Sequence, residues 1–169
     1  GLGDVYKRQG PQAVRRASAN LRWEGKRWPW SFTATDRLNV IDYGDIEFNP
    51  GDCPDAESSI IDHVGRVHNK QKKTLCFGGD HFVTLPQLRA VHQNRGTVAL
   101  IQFDAHTDTY EESSEYDHGG MFYAAPKENL IDPSHSIQIG IRTEYESDPD
   151  IRVIDAAKAN DMACEDIEA

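Results

Sequence analysis

The chain has 169 residues, enough for one domain with its own core, and 28 Asp and Glu against 18 Lys and Arg leave a net charge of −10. That balance argues against nucleic acid and anionic membrane surfaces as partners, since nucleic-acid binders carry a basic patch. Cys53, Cys76 and Cys164 form no CxxC pair, which points to a reducing, cytoplasmic setting without a disulfide framework, and no apolar run is long enough to cross a bilayer.

Gly1–Gln9 shows no periodicity and reads as a non-native or assembly-derived leader, leaving residues 10–169 as the domain. Pro11 and the spacing of Ala13, Val14, Ala17 and Leu21 predict a helix over Gly10–Leu21. Trp23–Phe32, with Trp23, Trp28, Pro29 and Trp30, reads as an irregular aromatic loop packed against a neighbour. Leu38–Tyr43 is expected to be a strand. Pro54–Lys73 follows as an amphipathic helix, with Ile60, Ile61, Val64 and Val67 toward the core and Asp52 or Asp55 as its cap.

Thr74–Phe77 is expected to be the next strand, with Cys76 a small buried hydrophobe. Phe82–Asn94 is helical, with Pro86 tolerable only near the first turn. Thr97–Phe103 is a third strand, Tyr110–Asp117 a polar loop, and Met121–Ala125 a short helical turn. Ser136–Ile141 and Ile151–Ile154 are two further strands around an acidic turn with Pro149, and Asp155–Asp161 begins another helix. Cys164–Ala169 looks like the opening of a helix that does not continue. Strands alternating with helices imply an α/β fold, a three-layer α/β/α sandwich whose mainly parallel sheet is covered on both faces. Ligands bind such sheets beyond the carboxyl ends of the strands.

Two clusters occupy those ends: Gly78-Gly79-Asp80-His81 after Thr74–Phe77, and Asp104-Ala105-His106-Thr107-Asp108 after Val98–Phe103. Alternate positions of an extended segment share a face, so Asp104, His106 and Asp108 can converge while Ala105 and Thr107 turn away. Carboxylate and imidazole without thiolate suit Mn2+ or a similar divalent ion. Gly78-Gly79 lets the backbone turn so that His81 points inward. The acidic run Glu111, Glu112, Glu115 and Asp117, added to Asp104 and Asp108, would concentrate a cationic substrate, although Glu111 and Glu112 read more simply as solvated charge. His63, His68, His92 and His135 read as structural or exposed.

With His118-Gly119-Gly120-Met121-Phe122 and Ile139-Gly140-Ile141-Arg142, these motifs resemble the ureohydrolase family from about Gly10 onward. The resemblance implies the arginase-like fold and hydrolysis of a guanidine with release of urea at a pair of Mn2+ ions. Gly79–Pro86 and Met121–Asp132 are similar to members that act on agmatine, and homo-oligomers are usual in the family. Carried over residue by residue, His81 and Asp108 match ligands of one ion, His106 a ligand of the other, and Asp104 a carboxylate bridging both. His118 matches a histidine that moves protons or contacts substrate, and Asp117 beside it is expected to help bind the guanidine. Asp80 matches no ligand and is expected to orient its neighbours.

The chemistry is coherent. A guanidinium carbon is a poor electrophile, so hydrolysis needs an activated water, and the departing amine needs a proton that a histidine can supply. The family's later Asp-x-Asp motif and the Glu that contacts the guanidinium have no counterpart here, and Gly120 stands where related sequences commonly have a small hydroxyl residue. The chain therefore reads as a partial domain of about half the usual length, inactive by itself. Two alternatives stay open: an amidinohydrolase for another guanidine such as guanidinobutyrate, and a non-catalytic metal-binding or assembly module.

Overall fold

The computed structural model describes residues 9–19, 25–26, 29–114, 116–145 and 150–163. Residues 1–8 of the expected Gly1–Gln9 leader, Leu21, Trp23, Trp28, Glu115, Pro149 and the Cys164–Ala169 segment lie outside the described residues. The chain divides into two compact units, Gly1–Glu47 with Cys76–Asp80, and Phe48–Leu75 with His81–Ala169. Among the described residues no helix is long and apolar enough to cross a membrane.

The first unit contains helix α1, Gly10–Ser18, with Pro11 in its opening turn, and the single turn α2, Ala34–Arg37. Arg15 donates to Asp42 and to Asp45, each at 2.7 Å. The Arg15 bond, with a second from the Gly44 N–H, holds the Asp42 carboxyl below the usual carboxylate range. Trp30 stacks on Phe32 with centroids 5.9 Å apart, and Arg37 lies over the same ring.

Neither Leu38–Tyr43 nor Thr74–Phe77 is a strand, contrary to expectation. Val40, Ile41, Leu75 and Phe77 are exposed, and Cys76 is exposed rather than buried. The reason is physical: β-propensity describes a side chain that fits a pleated surface, but a strand exists only when its N–H and C=O groups find a ladder partner.

In the second unit, helix α3 runs Cys53–Asn69. Asp52 caps it by accepting from the Asp55 N–H, and Pro54 sits in the first turn, where its missing donor costs nothing. Ala56, Ile60, Val64 and His68 are buried at four-residue spacing, which is one helix face. The helix stops at Asn69, short of the expected Lys73, where Lys70 closes the last turn and Gln71 takes a φ of 56°. A 3-10 turn, His81–Val83, leads into α4, Thr84–Arg95, and α4 packs along α3. Pro86 lies in the first turn of α4, as its chemistry requires.

Among the described residues, three parallel strands form a sheet in the order β1 (Ile101–Phe103), β2 (Ile137–Ile141), β3 (Arg152–Asp155). Between β1 and β2 lies α5, Met121–Lys127, and after β3 comes α6, Ala156–Asp161, capped by the Asp155 carboxylate on the Lys158 N–H. The core under α5 joins Leu85, Met121, Phe122, Ala125, Leu130, Ile131 and Ile151. Full burial of each large apolar side chain is worth about 1.5–3 kcal/mol. On β1, Gln102 is buried, while Ile101 and Phe103 are exposed.

Candidate metal centre

The carboxyl end of β1 is where the acidic motif leaves the sheet. The Asp104 N–H still donates to the Ile139 carbonyl at 3.1 Å, and the Arg142 N–H to Ala105 at 2.9 Å, so pairing with the β2 side continues into the motif. At that height Gly140 has a φ of 89°, and a Cβ there would lie 3.3 Å from the Asp104 carbonyl oxygen. The β2–β3 register is irregular at the same place, between Ile139 and Ile141.

Beyond β1 the chain makes a tight loop and brings Asp108 back toward Asp104. Asp108 has a left-handed backbone, φ 52°, which an L-residue adopts only at a cost of about 1–2 kcal/mol. His81, at the start of the 3-10 turn, completes the group: its Nδ1 lies 2.7 Å from Asp108 Oδ2 and 3.5 Å from Asp104 Oδ2. One ligand atom from each of His81, Asp104 and Asp108 falls within 4.8 Å of the others. Two carboxylates and an imidazole form a donor set that could hold a divalent ion of the manganese type, and like-charged carboxylates set this close are eased by a cation between them. Partial burial pushes the Asp104 carboxyl up. Hydrogen bonds from the His106 N–H, the Gln102 side chain and the Ala105 N–H, with His81 nearby, outweigh that and hold it below the usual carboxylate range. It is thus ready as an anion.

His106 stands apart from this group. Its side chain is about half exposed, with Nδ1 3.7 Å from Asp104 Oδ1, and its N–H donates to the same oxygen. Thr107 turns into the protein as expected, buried with its hydroxyl 2.8 Å from that of Thr109. His118 lies further along, 60% exposed, with Nδ1 3.2 Å from Asp117 Oδ1. Glu111 accepts a hydrogen bond from the Tyr123 hydroxyl, so it is more than solvated charge. Asp80 belongs to the first unit. His68 is buried and His135 exposed, both in line with structural roles.

Compared with known proteins, residues 6–169 match the model of the Arginase family. The chain belongs to the arginase family. It is 54% identical over 165 residues to an agmatinase of Serratia proteamaculans (strain 568), covering 98% of this chain and 54% of the relative. Its structure matches a crystal structure titled as a hypothetical agmatinase from Burkholderia thailandensis with a TM-score of 0.87 and 40% identity, over 94% of this chain and 50% of that one. A proclavaminate amidino hydrolase from Streptomyces clavuligerus matches at TM-score 0.79 and 31% identity, over 92% and 53% of the two chains. The chain thus spans about half the length of the curated relatives it matches, and its fold is the arginase-like α/β arrangement of parallel sheet and helices.

In this arginase-family chain one contributor is given no role of its own by sequence reasoning. Phe122, on α5, donates its N–H to the Asp108 carbonyl at 2.9 Å and presents its ring edgewise to the His81 imidazole, with centroids 5.7 Å apart. One core residue therefore touches two members of the group. The sequence marks it only as the last residue of the His118–Phe122 motif, with nothing to tell its role from that of an ordinary buried aromatic. Gln102 and Gln138, beneath the loop, were legible in principle, since each is a lone amide inside an apolar strand.

Proposed function

We propose that the full-length protein hydrolyses a small cationic guanidine, agmatine first among candidates, to urea and the corresponding amine, putrescine in that case. The observation that carries this reading is the convergence of His81, Asp104 and Asp108 within 4.8 Å in a chain half identical to an agmatinase. The residues that would hold a pair of Mn2+ are His81, Asp104 and Asp108 for one ion and His106, beside Asp104, for the other. When bound, such ions supply Lewis acidity and make water a nucleophile near neutral pH.

The chain's own groups do the rest. Asp104, whose carboxyl is held below the usual carboxylate range, and Asp108 beside it bring negative charge to the metal centre. His118 delivers a proton to the departing amine nitrogen as the bond between that nitrogen and the guanidino carbon breaks. Asp117 orients the His118 ring through the 3.2 Å contact with Nδ1 and attracts the cationic substrate. Acidic groups along 111–117 disfavour a substrate with an α-carboxylate, which argues for agmatine over arginine. A cytoplasmic homo-oligomer belongs to the same reading.

The test is urea release from agmatine, arginine and guanidinobutyrate, measured side by side with Mn2+ on the full polypeptide its reading frame encodes. Preference for arginine overturns the specificity. Preference for guanidinobutyrate supports the second reading, for which the amidino hydrolase of Streptomyces clavuligerus, a relative named for a different substrate, is the motive. No urea from any of the three, with Mn2+ still bound, favours a non-catalytic module.

A further inference from the structure

Gln102 and Gln138 occupy paired positions on β1 and β2 and are both buried, Gln138 with only 1% of its surface exposed. A primary amide inside a sheet is unfavourable unless its donors and acceptor are used. The Gln138 amide donates to Gln102 Oε1 at 2.6 Å and to the Thr107 carbonyl at 2.7 Å. Gln102 Nε2 donates onward to the His106 carbonyl at 3.3 Å. The two amides therefore form a short polarised chain. Its outer ends hold two consecutive carbonyls of the loop that runs from Asp104 to Asp108.

That loop needs holding. Asp108 sits at a positive φ that its neighbours must impose, and the Phe122 N–H fixes it only from the far side, through the Asp108 carbonyl. The Thr107 and Thr109 hydroxyls are engaged with each other. The glutamine pair supplies support from below, between the ends fixed by Ile139 and by Phe122.

We propose that Gln138, acting through Gln102 and the Thr107 carbonyl, is a positioning residue that presets the Asp104–Asp108 loop for a divalent ion. The proposal rests on the metal-centre reading above. Neither glutamine touches the ion in this account. Their effect comes from fixing the loop path, so that Asp104 and Asp108 already face His81 before the ion arrives.

The experiment uses the full-length protein and MnCl2 alone. Gln138→Met keeps length and volume but removes both donors. Mn2+ affinity by calorimetry should fall about 10–100-fold, the range usual for partners that orient metal ligands. In metal-free protein, amide exchange across 104–109 should accelerate. A control variant, Ile154→Val, trims a buried side chain on β3, the strand of the sheet not paired with β1, and should leave affinity and loop exchange as in wild type. Mn2+ affinity within twofold of wild type, or loop exchange no faster than in the control, overturns the proposal. If wild type takes up no Mn2+, the metal-centre reading fails by itself, and loop exchange in the metal-free protein still decides whether Gln138 holds the loop. If Gln138→Met does not fold, Gln102→Met, which removes the bonds to the His106 carbonyl and to the Asp104 carboxylate, is measured in the same two ways, with an affinity loss in the same range expected; no loss there and unchanged exchange overturn the proposal equally.

Discussion

Thr107, Asp108 and Thr109 are almost fully buried, whereas His118, in the very next loop, has 60% of its side chain in solvent. The first loop is held by the sheet, by two glutamines and by Phe122. The second closes mainly on itself: the Tyr110 N–H donates to the Gly119 carbonyl, and Gly119 and Gly120 pack tightly against Tyr110 and Ser113. The contrast follows from the chemistry proposed for each. Ligands gain affinity when their geometry exists before the ion binds, because the ordering cost is met during folding. A proton carrier must instead reach a substrate that comes and goes.

The largest effect should come from the rigid loop. Asp108→Ala removes the carboxylate nearest His81, and we expect loss of bound Mn2+ and of all Mn2+-dependent urea release in the full-length protein, read by elemental analysis and urea assay. Retained Mn2+ at wild-type stoichiometry would break the comparison, since ligation would then lie elsewhere.

His118→Ala should act differently. Turnover should drop by about 10²–10⁴-fold, the usual contribution of a general acid, while Mn2+ content stays as in wild type. Parallel loss of metal and rate would mean that the exposed loop also ligates, and an unchanged rate would remove His118 from the chemistry.

The third test concerns how the exposed loop keeps its shape. A Cβ on Gly120 would lie 2.6 Å from the Ser113 Cβ, so Gly120→Ala should lower stability by about 1–3 kcal/mol through overpacking. Adding Ser113→Gly should restore most of it. Thermal melts of both variants decide the matter, and a single variant that melts like wild type would show the loop yields freely.

The smallest effect lies outside both loops and guards against misreading acid sensitivity as a property of either. Burial, then the neighbouring Arg95 guanidinium, holds His68 below its ordinary pKa of about 6.5. The unfolded chain therefore takes up a proton more readily than the folded one. The stabilising contribution is complete above about pH 6.5 and is lost as pH falls through the lowered folded value. His68→Gln should flatten the decline in melting temperature from about pH 7 to about pH 5. An unaltered slope would place the acid sensitivity elsewhere, in the carboxylates of the loops themselves.

Much of the second unit is legible in the residues alone. Asp52 with Pro54 announces the start of α3, Asp155 that of α6, and His81, Asp104 and Asp108 are expected to converge, as they do. His106 is expected among them and instead sits more than half exposed beside Asp104. Alternation along a strand assigns faces only while the chain stays extended, and this segment bends into a left-handed residue at Asp108.

Local sequence was enough to set where helices begin, which residue types could bind a divalent ion, and the arginase-family membership carried by the motifs at 78–81, 104–110 and 118–122. A helix closes its hydrogen bonds within its own chain segment, and a ligand's chemistry belongs to its side chain. Only the folded chain reveals that Leu38–Tyr43 and Thr74–Phe77 are not strands, that Cys76 is exposed, and that Phe122 and the Gln102–Gln138 pair brace the loop. Each of these depends on a partner distant in sequence. A strand needs a neighbour's carbonyls, and a buried amide or aromatic ring takes its role from whatever the fold sets against it.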